Sequence, residues 1–266
     1  MSLFLPQKSA IKLYHFKIIF ALLFIFITIF SALSCAPSSR FSEKRDKIKY
    51  NPKIQSLRIS KNLRVLLSEE INSFKYKVDE PVDLLANDKK VAHIKKGNVL
   101  NLRKVGSQLS CTIGTKNFTG ISFKIKLSDN GFLPFNNKKY RGEFEFITSE
   151  NSILLINHID IEDYLLGVLP FELPTKNNRN YFEALKAFAI TARTFALSKM
   201  LKNNSFFDIY PDVRDQVYGG ADRETQMDLD AINETRDLAL YYNNELAEIL
   251  YHASCGGTTE AVKNIF

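Results

Sequence analysis

Residues 153–166, ILLINHIDIEDYLL, decide the fold. Ile153 to Asn157 is a short, mostly apolar run of strand character, the pattern of a strand packed on a core. At Asp160 the character changes. Asp160-Ile-Glu-Asp163 has the form of a helix N-cap followed by acids in the first turn, and Tyr164-Leu165-Leu166 supplies an apolar face. Unpaired backbone N–H groups at a helix start favour just such an oxygen ligand and negative charge. Strands therefore precede this point and helices follow it, which divides the folded chain into residues 63–158 and 159–266.

Working back from residue 153, the chain is a series of short strand-like runs. Leu63–Leu67 is apolar and Ser73–Val78 alternates weakly; Val99–Arg103 and Gln108–Ile113 follow, punctuated by Gly97 and Gly106. Ile121, Phe123, Ile125 and Leu127 alternate with Ser122, Lys124 and Lys126, the period of a half-buried strand. Asn130-Gly131 marks a turn, and Tyr140–Thr148 is a further strand-like run. No Ser-His-Asp set or Gly-rich phosphate loop falls here, so a structural role is expected for residues 63–158.

Working forward, Pro170 and Pro174 bracket Phe171-Glu172-Leu173. A helix cannot pass through both prolines, so Glu172 is expected on a rigid turn among apolar neighbours. Asn180 to Lys202 reads as a helix whose Phe182, Leu185, Ala189, Ala192, Ala196 and Met200 form one stripe. Lys186 and Arg193 border that stripe, a position where cations are solvated, paired with acids or engaged in function. A shorter helix is expected at about residues 225–237. Leu238–Tyr242 and Glu245–His252, joined by Asn243-Asn244, carry a hairpin signal. The second strand runs into Ala253-Ser-Cys255-Gly-Gly-Thr-Thr-Glu260. The fold class is α+β: an antiparallel β-rich N-terminal region followed by a mixed helix/hairpin region.

The N-terminus is a separate matter. The chain of 266 residues has a net charge of +7, but residues 1–35 hold three lysines and no acid, and residues 36–64 hold nine basic residues and two acids. The remaining 202 residues carry −3, so the basic character does not belong to the folded part, and nucleic-acid binding is not expected. Ile18 to Leu33 is an apolar run of 16 residues behind Lys8, Lys12 and Lys17. That is short of the roughly 20 residues of a membrane span and close to the apolar core of an export signal. Ser31-Ala32-Leu33-Ser34-Cys35 has small residues before a cysteine. It fits lipoprotein processing with lipid on Cys35, ordinary cleavage after Ala32-x-Ser34, or an uncleaved anchor; the first is the expectation adopted. Residues 36–62 read as a basic tether, either attracted to anionic lipid headgroups or a soluble spacer. Cys111 and Cys255 are expected to be separate thiols. No CxxC or His/Cys cluster has metal-ligand spacing, so no metal and no cofactor are expected.

Four blocks now stand in order: IEDYLLGVLPFELP (161–174), EALKAFAITARTFAL (183–197), DQVYGG (215–220) and ETRDLALYYNNELAEILYHASCGGTTE (234–260). With the upstream KKYRGEFEF (138–146), they resemble the stage II sporulation protein D and amidase-enhancer family of bacterial cell-wall proteins, over roughly residues 60–266. The resemblance implies a peptidoglycan-active protein. Members include lytic transglycosylases acting on glycan strands stripped of peptide, and others described as enhancers of cell-wall amidases. Glycan strands, a cell-wall amidase and a membrane reached through the N-terminus are the partners implied. The family's catalytic glutamate lies in a Pro-x-Glu-hydrophobic-Pro motif, which here is Pro170-Phe171-Glu172-Leu173-Pro174.

Some members carry zinc-associated Cys and His before the Gln-Val-Tyr block; here Tyr210 to Asp215 has neither, so no zinc is expected there. The resemblance also implies chain beyond the Gly-Gly-x-Thr-Glu block, and hence a C-terminally truncated member. Glu172 is the expected catalytic acid/base. Arg193 is expected to bind a glycan hydroxyl or acetamide oxygen, or to orient Glu172. Gln216, Tyr218 and Ser254 are expected to give substrate neutral hydrogen bonds, Tyr218 also a stacking face. A non-catalytic amidase helper and an inactive remnant are the alternatives. The mature chain should begin at a lipid-bearing Cys35 and fractionate with membranes. Mass spectrometry of the N-terminal peptide checks this: an intact Met1 rejects cleavage, and an unmodified Cys35 terminus rejects lipidation.

Overall fold

The computed structural model of the chain describes residues 62–127, 131–202, 206–252 and 257–258. The export segment 1–35 with Cys35, the tether up to residue 61, the turn at Asn130, Ser254 and Cys255 lie outside the described residues. All described residues fall in one compact unit, Ile54–Phe266.

Two antiparallel sheets account for most of the region before residue 161. The larger has the spatial order β1 (Asn62–Ile71), β12 (Ile153–Asp160), β11 (Glu143–Thr148), β8 (Ser122–Leu127), β3 (Val82–Ala86), β4 (Lys89–Ile94). The smaller runs β2 (Ser73–Lys77), β5 (Val99–Val105), β6 (Gln108–Ile113), β7 (Lys116–Gly120). They meet through aromatic rings: Phe74 of β2 lies 4.7 Å from Phe146 and 6.5 Å from Phe144, both on β11. The alternation expected in β8 holds, with Phe123, Ile125 and Leu127 buried. Ile121 departs from it at 61% exposure, because it precedes the strand and its N–H is held by the Asn87 side chain at 3.0 Å.

The sequence pattern passed over the hairpin β3–β4, the strand β7, and the ribbon β9 (Leu133–Phe135) with β10 (Lys138–Tyr140). Both of these hairpins turn on polar pairs, Asn87-Asp88 and Asn136-Asn137, in the left-handed conformation. Asn and Asp tolerate that conformation, so a turn forms without the glycine that usually signals it. The expected single run Tyr140–Thr148 is two elements. β10 ends at Tyr140, β11 starts at Glu143, and Gly142 between them has φ +81°. A Cβ there would lie 2.1 Å from the carbonyl oxygen of His158 on the neighbouring β12.

The helices begin as the N-cap signal predicts. Asp160 Oδ1 accepts the N–H of Glu162 at 2.8 Å and opens α1 (Ile161–Leu166). The expected rigid turn between the two prolines is instead a one-turn helix, α2 (Leu169–Glu172), with Pro170 in its first turn and Pro174 beyond its end. A proline in the first turn loses no helical hydrogen bond, so the pair bounds a turn of helix rather than forbidding one. A 3-10 turn, Arg179–Tyr181, leads into α3 (Phe182–Leu201), which buries Leu185, Ala189, Ala192 and Ala196 as the stripe predicts. Thr225 and Asp228 close a reciprocal capping box on α4 (Gln226–Glu234). Asn243-Asn244, at φ 51° and 67°, join β13 (Tyr241–Tyr242) to β14 (Glu245–Leu246), a shorter hairpin than expected.

Sheet and helices share one core, in which Leu63 and Val65 of β1 join Tyr164 and Leu165 of α1 and Ala189 of α3. The chain after α3 also returns to the sheet edge. Leu66 N–H donates to Ile209 O at 3.1 Å, Asp208 N–H to Arg64 O at 2.8 Å, and the Asp208 carboxylate takes the Arg64 guanidinium at 2.6 Å. The expected boundary at residues 158–159 thus falls within β12, and the change from strand to helix comes at Asp160–Ile161 inside one compact unit. Replacing Gly142 by Ala combines a left-handed backbone with a backbone clash, whereas Gly97, at φ +88°, has open space where a Cβ would go. Urea unfolding should show Gly97→Ala costing about 1 kcal/mol and Gly142→Ala about 2 kcal/mol or more beyond that. Equal losses would show that β11 and β12 are not held in this register.

Candidate functional site

Glu172 closes α2, and what holds it is backbone. Its Oε1 accepts the N–H of Val217 at 2.6 Å. The segment carrying Val217 is fixed on both sides: Tyr218 N–H donates to Pro211 O at 3.0 Å, Gly219 N–H to Gly167 O at 2.9 Å, and Ala221 N–H to Lys139 O at 2.7 Å. Gly219 is required by a close approach. The tip of the Phe171 ring lies against its backbone, so an added Cβ would fall 1.9 Å from a ring carbon. The Arg223 guanidinium lies 4.8 Å from that ring's centre. Three of the sequence blocks, around 138–142, 167–172 and 215–220, are thereby stitched together by main-chain bonds. Glu172 itself stays half-buried, and its second carboxyl oxygen has no hydrogen-bond partner among the described residues.

Behind the carboxyl sits a buried polar cluster. Gln216 is 0% exposed; its Oε1 accepts the Tyr164 hydroxyl at 3.1 Å, while its Nε2 has no partner. Tyr251, half-buried, packs its ring edge-on against Phe188 and Phe195 of α3 at 5.6 and 6.2 Å. Its hydroxyl is turned inward, buried and unpartnered. That hydroxyl lies beside the Gln216 amide, near enough for the amide to favour the phenolate, yet the two miss hydrogen-bond geometry. Burial is the largest influence on the Tyr251 phenol, and with the charges of Glu172 and Asp215 it pushes the group up to about 12. The phenol is therefore a neutral hydrogen-bonding group throughout the physiological range. Tyr164, wholly buried, is likewise raised well above the ordinary tyrosine range, by burial first. Asp215 accepts the Tyr210 N–H at 2.7 Å and pairs with Lys199.

Two expected substrate ligands are in the core instead. Arg193 is 1% exposed and makes a two-pronged pair with Glu162, at 2.9 and 2.7 Å, plus a bond to Leu238 O at 3.1 Å. It makes no direct hydrogen bond to Glu172 and keeps almost no surface for a sugar. The border of the apolar stripe where it lies faces α1, and Glu162 is the acid waiting there. Tyr218 is 2% exposed; its ring packs between Tyr140 and Tyr164, at 5.6 and 5.0 Å, and its hydroxyl donates to Asn157 at 2.9 Å. Buried against these two rings, Tyr218 offers a sugar almost no surface. Lys186, the other border cation, pairs with Glu183 and Glu234 at 2.9 and 3.1 Å.

The structure brings Glu172 and Gln216 together, and Ser254 lies outside the described residues. Tyr251 and Asp215 belong to the site although the sequence reading did not single them out. Both stood inside recognised blocks, and the signal that marks them, a buried hydroxyl without a partner and an acid whose charge acts on it together with that of Glu172, exists only in three dimensions. Elsewhere, a cleft of about 300 Å³ lined by Lys126, Arg141, Glu143 and Asp163 does not include Glu172. Its Arg141 is held by Glu224 at 2.5 and 3.0 Å. Among the described residues no three His, Cys, Asp or Glu side chains gather as metal ligands would. Cys111 is a free, buried thiol, pushed up to about 12 by burial.

With this geometry in place, comparison with known proteins is informative. Residues 149–242 match the family described as stage II sporulation protein. An uncharacterised protein of Brachyspira hyodysenteriae is 34% identical over 149 residues, 55% of this chain and 39% of the relative. Stage II sporulation protein D of Bacillus subtilis is 29% identical over 121 residues, 40% of this chain and 34% of that protein. The amidase enhancer of Bacillus subtilis is 34% identical over 103 residues, 38% of this chain and 13% of that protein. The chain thus spans well under half the length of each of these relatives. No solved structure matches it significantly. The resemblance drawn from the sequence blocks is borne out by these matches.

The buried pair sets the prediction for this region. Arg193→Ala strands the Glu162 carboxylate in the core, and removing one partner of a buried pair costs about 3–5 kcal/mol. Replacing both by methionine should recover much of that loss. Urea unfolding of the wild type and the two variants measures it. An Arg193→Ala chain of wild-type stability that has lost only glycan binding would return Arg193 to the site.

Proposed function

From the match of residues 149–242 to the stage II sporulation protein family, we propose an exported, membrane-anchored cell-wall protein that cleaves glycan strands, with Glu172 as its acid and base. The observation that carries the reading is the Glu172 carboxyl: half-exposed, pinned through Oε1 to the Val217 N–H at 2.6 Å, with its other oxygen unengaged. A carboxyl fixed at one oxygen by a main-chain donor presents the other in a constant position, which is what proton transfer at a glycosidic oxygen requires.

Glycoside cleavage ordinarily uses two carboxylates. A lytic transglycosylase works with one. Protonated Glu172 gives its proton to the glycosidic oxygen as the bond from that oxygen to the anomeric carbon breaks. The 6-hydroxyl oxygen of the same sugar then bonds to the anomeric carbon. Its proton passes to the Glu172 carboxylate, which restores the acid, and the new chain end is a 1,6-anhydro ring. No water or cofactor enters the balance. Export and lipid attachment at Cys35 are supported by the order of charge, apolar run and small residues in 1–35.

A second reading has its own support. The relative named as an amidase enhancer shares 34% identity over 103 residues. On that reading the domain assists a cell-wall amidase and Glu172 is dispensable. The two part on one substitution. Glu172→Gln is nearly isosteric and can still accept from Val217 N–H, but it cannot deliver a carboxylic proton. On glycan strands stripped of peptide, release of anhydro-ended fragments should fall by about 10²–10⁴-fold while the fold is kept; product masses distinguish anhydro from hydrolysed ends. Equal release by both chains removes Glu172 from the mechanism. No release by a folded wild type, with stimulation of an amidase in a coupled assay, favours the helper.

A further inference from the structure

We propose that Lys199 is a positioning residue for Glu172, acting through the Asp215 carboxylate on the main chain that leads to Val217. The proposal rests on the reading of Glu172 as the acid and base, and it concerns what holds the Val217 N–H in place at Glu172 Oε1. Lys199 lies in the last turn of α3, and its ammonium pairs with Asp215 Oδ1. That oxygen is buried and makes no hydrogen bond of its own among the described residues, so the ammonium is the charge that answers it. Oδ2 accepts the Tyr210 N–H at 2.7 Å, and the Asp215 N–H donates to Asp212 O at 2.9 Å. Only Gln216 separates Asp215 from Val217.

The stretch 210–217 needs such a tie. It is an outward loop, with Val213 90% exposed, and its Arg214 is taken up by Asp212 and Glu69. Among the described residues, two side-chain contacts tie it to the helices. Gln216 Oε1 takes the Tyr164 hydroxyl of α1 at 3.1 Å, and Asp215 takes Lys199 of α3. The same α3 grips α1 through Arg193 and Glu162, and α1 leads to the turn that carries Glu172. One helix thus sets both the carboxyl and the donor that pins it, and the two stay in register. The Lys199 ammonium is itself held over the Phe195 ring, one turn earlier, 5.2 Å from its centre. The Asp215 side chain is 4% exposed and that of Lys199 29%. Without the cation the carboxylate is left almost dry and unanswered, and the relief open to it is to swing towards water. That breaks its bond to Tyr210 and shifts the chain at Val217. A displacement of about 1 Å at a reacting group costs roughly 10²-fold in rate.

The test follows release of anhydro-ended fragments from glycan strands stripped of peptide, by the full 266-residue chain, well below each variant's thermal midpoint. Lys199→Met should lower kcat by about 10–100-fold and leave KM within about twofold, the mark of an interaction that matters in the transition state. Lys199→Arg keeps the charge and should return kcat to within about threefold of the wild type. Lys199→Met also strands a buried carboxylate and can unfold the chain. The double variant Lys199→Met/Asp215→Asn removes that charge, and the asparagine oxygen still accepts from Tyr210. It should recover the thermal midpoint and keep the low kcat, which a purely structural role of Lys199 does not produce. Hydrogen exchange followed by NMR reads the Val217 amide directly, and the double variant should exchange there about tenfold faster than the wild type. Wild-type kcat in the double variant, or unchanged exchange at Val217, overturns the positioning role and spares Glu172. A wild type that releases no fragments removes the catalytic reading, and exchange at Val217 then decides alone whether Lys199 holds the donor.

Discussion

Everything around Glu172 depends on one buried ion pair. Arg193 on α3 grips Glu162 on α1 through two hydrogen bonds, although the two are 31 residues apart, and a third bond ties the guanidinium to the main chain at Leu238. The pair joins the helix that leads into the acid's turn, the long helix that carries Phe188 and Phe195, and the strand entry beyond α4. Neither charge has solvent to fall back on, since the side chains are 2% and 5% exposed. Such a pair adds little net stability over a well-packed apolar replacement, but it tolerates only one arrangement of its partners. Its use here is to fix how α1 and α3 stand relative to each other, and through α1 where α2 and Glu172 begin.

A second layer carries that placement to the carboxyl. Tyr140, Tyr218 and Tyr164 pack in succession, with Tyr218 anchored to Asn157, whose amide in turn donates to Arg141 O and Glu143 O at 2.8 and 3.2 Å. The β-rich region is therefore not merely a neighbour of the helical one. β12 supplies the hydrogen-bond acceptor that positions Tyr218, and the residue after Gln216 supplies the N–H that holds Glu172. A main-chain donor cannot be lost by changing a side chain, so the segment 215–220 holds the acid by its path as much as by its composition.

The site that results is asymmetric. One side of Glu172 is fixed by backbone; the other borders groups that are polar, buried and incompletely paired. Rigid support and unfinished hydrogen bonding are opposite demands on a folded chain, and their meeting at one carboxyl is the physical basis for reading function here rather than at the clefts elsewhere. The cleft around Arg141 and Asp163 is lined by charge, but its guanidinium already has a carboxylate.

How much of this was legible in the sequence follows from which interactions are local. The Asp160 cap, the stripe of α3 and the Asn243-Asn244 turn depend on residues within a few positions, and they stand where their patterns put them. The hairpin on Asn87-Asp88 was passed over because its turn uses polar left-handed residues in place of glycine. The α+β class and Glu172 between its two prolines were likewise written in the linear chain. What the chain could not disclose is who sits opposite whom. Periodicity places Arg193 at the border of an apolar face but not against Glu162, and it offers Tyr218 as a surface ring when Tyr140 and Tyr164 close over it. Composition cannot reveal that Gln216 and Tyr251 are buried with bonds unmade. Those facts arise when segments tens of residues apart exclude water together, and only the tertiary structure decides which polar atoms find partners there.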